Sequence, residues 1–191
     1  MKKFLKFLLI VLIVLLLVVL VGGLFLPKET NLEESIVIKA SPELIFDYVN
    51  CIEKTAVWSP WAGMIETKEF FGPECGVGSG QEWTQTDGRF GKQEITESRD
   101  NEYSKSLLDF GPMGTAEAEF LLEPTEGGTK VTWTFKSPAA YPHGRWMNLI
   151  FNVKKFVQND YKKGLKSLDS LIISLPPEKE LMSYDAPAII D

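Results

Sequence analysis

The chain has few of the residues from which metal and nucleophilic sites are most often built. Its 191 residues include two cysteines, Cys51 and Cys75, and one histidine, His143. Without a C-x-x-C motif or a pair of histidines, the ligand count excludes a zinc site of the usual kind. The two cysteines either form a disulfide, if the domain is exported, or remain two buried thiols, because sequence separation does not fix their geometry. We predict no metal centre and no cofactor, and leave the disulfide open.

Acidic residues outnumber basic ones beyond the first six positions. Residues 27–191 keep 17 of the 20 basic side chains and all 26 acidic ones, which gives this part of the chain a net charge of −9. Nucleic acid requires a basic surface, so we expect no nucleic-acid partner. The same acidity argues against electrostatic docking on anionic lipid.

One long run lacks charges altogether. The 20 residues from Phe7 to Leu26 contain no charged residue, Asn, Gln or Pro, and as a helix they are about 30 Å long, which matches the hydrocarbon core of a bilayer. Lys2, Lys3 and Lys6 precede the run, so the N-terminus should stay in the cytoplasm while the rest is exported. We predict a single-pass anchor over residues 1–26 in a bacterial cytoplasmic (inner) membrane.

A cleaved signal peptide is the alternative to a retained anchor. The small residues of Val21-Gly22-Gly23 have the spacing that a signal peptidase accepts. The apolar run nevertheless exceeds the 7–15 residues that are usual for the hydrophobic part of a signal peptide, which favours the anchor.

The rest of the chain divides into a connector over residues 27–34, a domain over 35–175 and a tail over 176–191. The domain opens with a strand predicted at Glu34–Ala40, which is rich in β-branched residues. Ser41 and Pro42 then suit the N-cap and first position of a helix, and a shorter helix is predicted at Ile52–Trp58.

Six further strands are predicted, with Gly-, Pro- and Asn-containing turns between them. Hairpin-length links indicate an antiparallel meander. In the last two strands apolar and polar residues alternate, so one face of the sheet is dry and the other wet. The predicted strands are Thr67–Phe71, Gly80–Thr86, Gly91–Ser98, Glu102–Phe110, Thr115–Leu122 and Thr129–Lys136.

The dry face needs a cover, and the C-terminal part of the chain offers one. Apolar residues recur there at steps of three and four, which predicts one long amphipathic helix ending before Pro176-Pro177. The apolar positions are Trp146, Leu149, Ile150, Val153, Phe156, Val157, Tyr161, Leu165, Leu168 and Ile172.

Together these pieces resemble a known superfamily over about residues 33–173. The matching segments are Ile38–Glu43, Trp58–Trp61, Gly72–Gly80, Gly128–Trp133 and Lys163–Leu168. The domain resembles the START/Bet v1-like (SRPBCC) superfamily, in particular its bacterial polyketide cyclase/dehydrase and lipid-transport proteins. The resemblance implies an α+β helix-grip fold, in which a curved antiparallel sheet wraps a long C-terminal helix, two short helices follow strand 1, and an apolar cavity lies between sheet and helix.

Within that fold, aromatic and small residues on the dry face are the candidates for ligand binding. Aromatic rings fill cores as well as line pockets, and alanines opposite large rings suggest room left open, since cores pack densely. The predicted ligand-binding residues are Trp58, Trp61, Trp83, Leu108, Phe110, Ala118, Phe120, Trp133 and Phe135.

No catalytic residue is predicted. His143 has no identifiable nucleophile or orienting acid beside it, and Glu117 and Glu119 alternate with apolar residues and should face water. Asp109 is another carboxylate that could be proposed as an acid or base, and no nucleophile elbow or dinucleotide fingerprint is present.

Three functions remain open. The first, which we favour over an enzyme, is a membrane-anchored protein that binds a hydrophobic small molecule or lipid. The second is a cyclase/dehydrase-type enzyme that uses the same water-excluding cavity. The third is a ligandless interaction module whose cavity is filled by its own aromatic rings. A large dry cavity favours binding, and buried titratable groups favour catalysis.

Overall fold

The computed structural model describes residues 2–176, so residues 177–191, nearly all of the predicted tail, lie outside the described part. Helix α1 (Lys2–Phe25) precedes the domain, and its apolar side chains are largely exposed. By length and composition α1 could cross a membrane, a test that a signal sequence also passes.

The domain is built on one antiparallel sheet of seven strands. Its spatial order is β1-β7-β6-β5-β4-β3-β2, so the last six strands form a meander and β1 pairs with the final one. This architecture confirms the predicted α+β helix-grip fold. The strands are β1 (Glu29–Ile38), β2 (Ile65–Phe71), β3 (Gly80–Gln85), β4 (Phe90–Arg99), β5 (Tyr103–Asp109), β6 (Thr115–Thr125) and β7 (Gly128–Pro138).

Strand β1 begins earlier than its sequence suggested. It pairs with β7 from Glu29 opposite Pro138 onward, so most of the segment expected to be a connector belongs to the sheet. Thr30 and Leu32 are buried, while Glu29, Asn31 and Glu33, which alternate with them, are exposed. The polar residues that resembled a linker therefore lie on the wet face of an edge strand.

Two short helices follow β1. Ser41 caps α2 (Pro42–Val49), because its hydroxyl accepts from the backbone N–H of Leu44 at 3.4 Å. A disulfide joins Cys51, at the start of α3 (Ile52–Trp58), to Cys75 in the β2–β3 loop, and so settles the alternative that the sequence left open.

The C-terminal run forms two helices rather than the single one that was expected. Helix α4 (His143–Phe151) and helix α5 (Val153–Ser174) are separated by Asn152, whose φ is 47°. Asparagine tolerates this left-handed conformation better than most residues do. Its side-chain oxygen then accepts from the backbone N–H of Lys155 at 3.4 Å, which caps α5.

The core lies between the inner face of the sheet, α2, α3 and the second half of α5. Gly164 of α5 lies against the sheet, because a β-carbon at this position would be 2.8 Å from Cζ3 of Trp133 and 3.1 Å from Cδ of Pro60. The missing side chain allows helix and sheet to approach closely, and this brings α5 onto aromatic residues of the sheet.

Candidate ligand-binding site

A cluster of aromatic rings occupies the inner face of the sheet beneath α5. Trp133 of β7 stacks on Phe120 of β6 at 4.9 Å and on Tyr161 of α5 at 3.7 Å between ring centroids. Trp58 and Trp61 approach Trp133 edge-on at 5.5 Å and 5.9 Å. We define the aromatic cluster as these five residues and Phe135, which meets Tyr161 edge-on at 6.1 Å.

Strand register brings the cluster together. Phe120 lies opposite Trp133 across the β6–β7 pair, and Ala118 lies opposite Phe135 one step further along the same face. Ala118 is buried, and both faces of the Trp133 ring are covered by other rings. Tyr161 therefore covers one face of the Trp133 ring. The sequence had identified Tyr161 only as one of the apolar positions of the C-terminal helix.

The remaining predicted residues form a second group nearer the other end of the sheet. Trp83 of β3 contacts Phe110 edge-on at 6.3 Å, and its ring lies over Gly91, where a β-carbon would be 2.2 Å from the ring. Leu108 of β5 is opposite both Gln93 and Ala116. The structure thus divides the predicted site residues between two regions of one inner face.

A row of polar side chains runs across the inner face beside this second group. Gln81 donates through Nε2 to Oε1 of Gln93 at 3.3 Å, and Gln93 donates through Nε2 to Oγ of Ser106 at 3.2 Å. Gln81 and Ser106 are buried. Strand alternation places all three residues inward, but alternation alone does not show that polar side chains on a dry face are hydrogen-bonded to one another.

Two buried polar atoms of the inner face have no hydrogen-bond partner among residues 2–176. They are Oε1 of Gln81 and Nε1 of Trp133. Burying such a group without a partner is unfavourable by about 1–3 kcal/mol in proteins. An acceptor and a donor of this kind are therefore suited to meet the polar group of a bound molecule.

Titratable groups near the aromatic cluster are few. Burial raises the pKa of the Tyr161 hydroxyl well above its usual value near 10, so it stays protonated at neutral pH. Asp160 is the only acidic residue in the buried set of the described chain. Its Oδ2 accepts from Nε1 of Trp61 at 3.2 Å and its Oδ1 from Nζ of Lys163 at 3.1 Å, so it holds Trp61 in place.

Three further carboxylates could serve as an acid or a base, namely Asp109, Glu117 and Glu119. Asp109 is exposed and accepts from the backbone N–H of Gly111 at 2.8 Å. Glu117 pairs with Lys105 at 3.2 Å on the opposite face of the sheet, and Glu119 belongs to the same outer face. Glu119 is the one of the three that comes near the aromatic cluster, because it lines the same surface groove as Phe135.

An open groove reaches the edge of the aromatic cluster. Its volume is about 510 Å³, and β1, β6, β7 and the first turns of α5 line it. Phe135 is the member of the cluster that borders this groove, while Lys154 and Gln158 line it from the helix side. Most of its other lining residues are polar, so the groove is an opening next to the cluster rather than an apolar pocket.

One group of potential metal ligands exists in the described chain, but its chemistry does not suit a metal. Ligand atoms of Asp47, Cys51 and Cys75 lie within 4.8 Å of one another. The two sulfurs are joined in the disulfide, so neither is the thiolate that binds metals.

Comparisons with known proteins extend over nearly the whole domain. Residues 29–172 match the family described as polyketide cyclase / dehydrase and lipid transport. A search of curated proteins found no match. Solved structures with a similar fold include norcoclaurine synthase from Thalictrum flavum in complex with dopamine and hydroxybenzaldehyde, with 12% identity and a TM-score of 0.63 over 83% of this chain and 94% of that one.

Two bacterial structures are also similar. A protein of unknown function from Staphylococcus aureus has 14% identity and a TM-score of 0.61, over 77% of this chain and 95% of that one. A protein from Chromobacterium violaceum has 17% identity and a TM-score of 0.55, over 75% of this chain and 97% of that one. At these identities the likeness shows the fold alone.

Proposed function

Because the chain belongs to the polyketide cyclase/dehydrase and lipid transport family, we propose that it binds a hydrophobic small molecule or lipid between the sheet and α5, while α1 anchors it in a membrane. Family and fold favour either a hydrophobic-ligand-binding protein or a cyclase/dehydrase-type enzyme. The observation that carries the binding proposal is an aromatic inner face that also contains two buried polar atoms without partners.

The chemistry of this inner face selects a ligand with an apolar body and a polar group. Burial of the apolar part contributes about 25 cal/mol for each Å² removed from water. Oε1 of Gln81 accepts a hydrogen bond from a ligand hydroxyl or amine, and Nε1 of Trp133 donates to a ligand oxygen. The ligand reaches the interior beside Phe135, whose half-buried ring borders the open groove.

The titratable groups support binding over catalysis. A general acid or base works best with a pKa near the working pH, whereas burial moves the pKa of Tyr161 further above neutrality. Asp160 has both oxygens engaged, by Trp61 and Lys163. The enzyme alternative would have to release Asp160 from these partners before it could act as a base.

The membrane location is part of the same proposal. The three lysines before the apolar run support a cytoplasmic N-terminus. The disulfide between Cys51 and Cys75 supports a domain outside the cytoplasm, where thiols are oxidised. We place the chain in a bacterial cytoplasmic membrane with its domain on the extracytoplasmic side.

A contact quencher tests the binding proposal. The full chain, purified in detergent and stripped of lipid, is titrated with a brominated fatty alcohol while tryptophan fluorescence is recorded. Bromine quenches tryptophan at contact, so saturable quenching is expected from a ligand beside Trp133. Gln81→Met removes the acceptor and should weaken binding by about threefold to tenfold, the equivalent of one hydrogen bond.

Gln85→Met is the matched control, since Gln85 lies on the same strand and is half-exposed. Native mass spectrometry of the chain from its own membrane should also detect a lipid that co-purifies. If neither quenching nor a co-purified lipid is observed, the rings fill the interior permanently and the interaction-module function replaces this proposal.

A further inference from the structure

Helix α4 and the start of α5 expose an apolar surface that the domain does not cover. Leu149, Ile150, Phe151 and Phe156 are 57–67% exposed. At about 100° per residue, the apolar residues of α4 from Trp146 to Phe151 form one arc of roughly 200° around the helix. The opposite side of α4 faces the domain, where Nδ2 of Asn148 donates to Oγ1 of Thr30 at 2.9 Å.

The same segment is bonded to the end of α1. Nε1 of Trp146 donates to the carbonyl of Val19 at 2.9 Å, and the Tyr141 hydroxyl donates to the carbonyl of Leu20 at 2.7 Å. Arg145 donates to the carbonyl of Gly23 at 2.9 Å. These three bonds hold α4, and Tyr141 just before it, beside the last two turns of α1.

Small residues of α1 make this contact possible. A β-carbon on Gly22 would be 2.8 Å from the ring of Trp146, and one on Gly23 would be 3.2 Å from the ring of Tyr141. The two rings therefore lie directly on the backbone of α1. The position of α4 is fixed relative to α1, and so is its depth if α1 spans a bilayer.

That depth follows from the helix rise. Val19 lies seven residues before Leu26, the last residue of the uncharged run, which is about 10 Å along the helix axis. If residues 7–26 cross the hydrocarbon core, Nε1 of Trp146 lies about 10 Å inside the boundary between acyl chains and headgroups. Tryptophan and tyrosine are enriched near this boundary. An amphipathic helix in this position buries its apolar face by about 5–10 Å.

We infer that α4 and Phe156 form a second membrane contact, lying in the interfacial layer of the leaflet next to the domain. This inference rests on the proposed anchoring by α1. The partner is a lipid surface because the exposed arc continues directly from the end of α1. Its attraction is apolar, since residues 27–191 carry a net charge of −9, and the exposed Lys154 and Lys155 can still reach headgroup phosphates.

The contact has a consequence for ligand exchange. Lys154 and Gln158 belong to the first turns of α5 and line the groove that borders Phe135. With α4 in the interfacial layer, this groove opens beside the lipid surface. An apolar ligand can then pass between bilayer and domain with a short path through water.

Spin labels at three sites test the inference in the full chain. Cys51 and Cys75 are paired, so a single introduced cysteine is the only free thiol. The variants are Ile150→Cys on α4, Leu12→Cys in α1 and Val37→Cys on β1, about 27 Å of strand from Glu29. Each is labelled and reconstituted in phosphatidylcholine vesicles, with oxygen as the lipid-soluble relaxant and a nickel chelate, present on both sides, as the water-soluble one.

We expect the ratio of oxygen to chelate collisions to be several-fold higher at Ile150 and Leu12 than at Val37. A high ratio at Leu12 together with a Val37-like ratio at Ile150 overturns the docking of α4 and leaves the anchor intact. A Val37-like ratio at Leu12 overturns the anchor, and the docking inference with it. Shielding of Ile150 from both relaxants, with spin–spin broadening, assigns the surface to a second copy and overturns the lipid assignment.

The Val37 label also reports the side of the membrane. In right-side-out vesicles from a bacterial host, chelate added outside should reach Val37, because we place the domain outside the cytoplasm. Protection of Val37 there would put the domain in the cytoplasm, without changing the result for α4 in vesicles that contain chelate on both sides.

Discussion

The two halves of the C-terminal apolar stripe have the same periodicity and opposite environments. From Tyr161 onward, Tyr161, Leu165, Leu168 and Ile172 are at most 4% exposed, because the sheet covers them. Before Tyr161, Leu149, Ile150 and Phe156 are more than half exposed, although they recur at the same spacing. The break at Asn152 lies within the exposed half.

This difference shows that the amphipathic pattern of a helix is not enough to predict whether its apolar face is buried. A 3.6-residue period shows that a face is apolar, but it does not show what covers that face. The second half of α5 is covered by strands of its own domain, including β1. In the exposed half of the stripe, α4 lies next to α1, and a lipid surface is the cover that we infer for it.

The largest difference in unfolding free energy is expected when one leucine in each half is replaced by alanine. Leu168 is fully buried, so Leu168→Ala should lower the free energy of unfolding by about 2–5 kcal/mol, through lost burial and the cavity left behind. Leu149 is exposed, so Leu149→Ala should change it by no more than about 0.5 kcal/mol. Denaturant titration of the detergent-solubilised full chain measures both; equal losses would mean that Leu149 is packed against the domain and that the two halves do not differ.

A smaller effect on the free energy of unfolding is expected at Gly164, where the buried half of the stripe packs closely against the sheet. Alanine is preferred over glycine in a helix by about 1 kcal/mol. Here its β-carbon would be 2.8 Å from Trp133, whose ring is held between Phe120 and Tyr161. Overpacking of this kind costs about 1–3 kcal/mol, so Gly164→Ala should be neutral to destabilising by about 2 kcal/mol.

The exposed side of the same helix provides the control for Gly164. Ser170 lies on the exposed face of α5, so Ser170→Ala should change the free energy of unfolding only slightly. A gain of about 1 kcal/mol in Gly164→Ala would show that the helix preference prevails and that Trp133 can move away from α5.

Much of the fold could be predicted from local sequence signals. The β2–β7 meander agrees with its expected strands to within about three residues at each end, because turn residues and alternation are local features. The Ser41 cap was also predicted correctly. The early start of β1 was not predicted, since its pairing with β7 spans about a hundred residues.

The candidate site was only partly predictable. Alternation placed Phe120, Trp133 and Phe135 on the inner face, and the structure brings them together. Alternation could not show that Tyr161 stacks on Trp133, because contact between a helix and a sheet depends on tertiary packing. The row from Gln81 to Ser106 was missed for a different reason: its residues point inward, but polar side chains on a dry face have no local signature of a partner.

The smallest expected effect is a change in how the free energy of unfolding depends on pH, and it arises from Tyr161 in the buried half. Tyr161 is buried, and burial raises the pKa of its hydroxyl above the value near 10 that applies in the unfolded chain. Its contribution to stability is therefore fully present below pH 10, and is lost as the pH rises toward the folded-state pKa, because the unfolded chain releases the proton first. Between pH 7 and 9 this residue should give no slope.

Tyr161→Phe isolates this contribution. The variant should lose the part of the alkaline decline above pH 10 that belongs to Tyr161, so its stability should fall less steeply with pH than that of the wild type. Tyr141→Phe is the control in the exposed half, since it removes a tyrosine hydroxyl outside the aromatic cluster, together with its bond to the carbonyl of Leu20. Denaturant titrations at a series of pH values measure the two slopes. Identical slopes for wild type and Tyr161→Phe would show that the hydroxyl meets water in solution, and that the aromatic cluster is open at Tyr161.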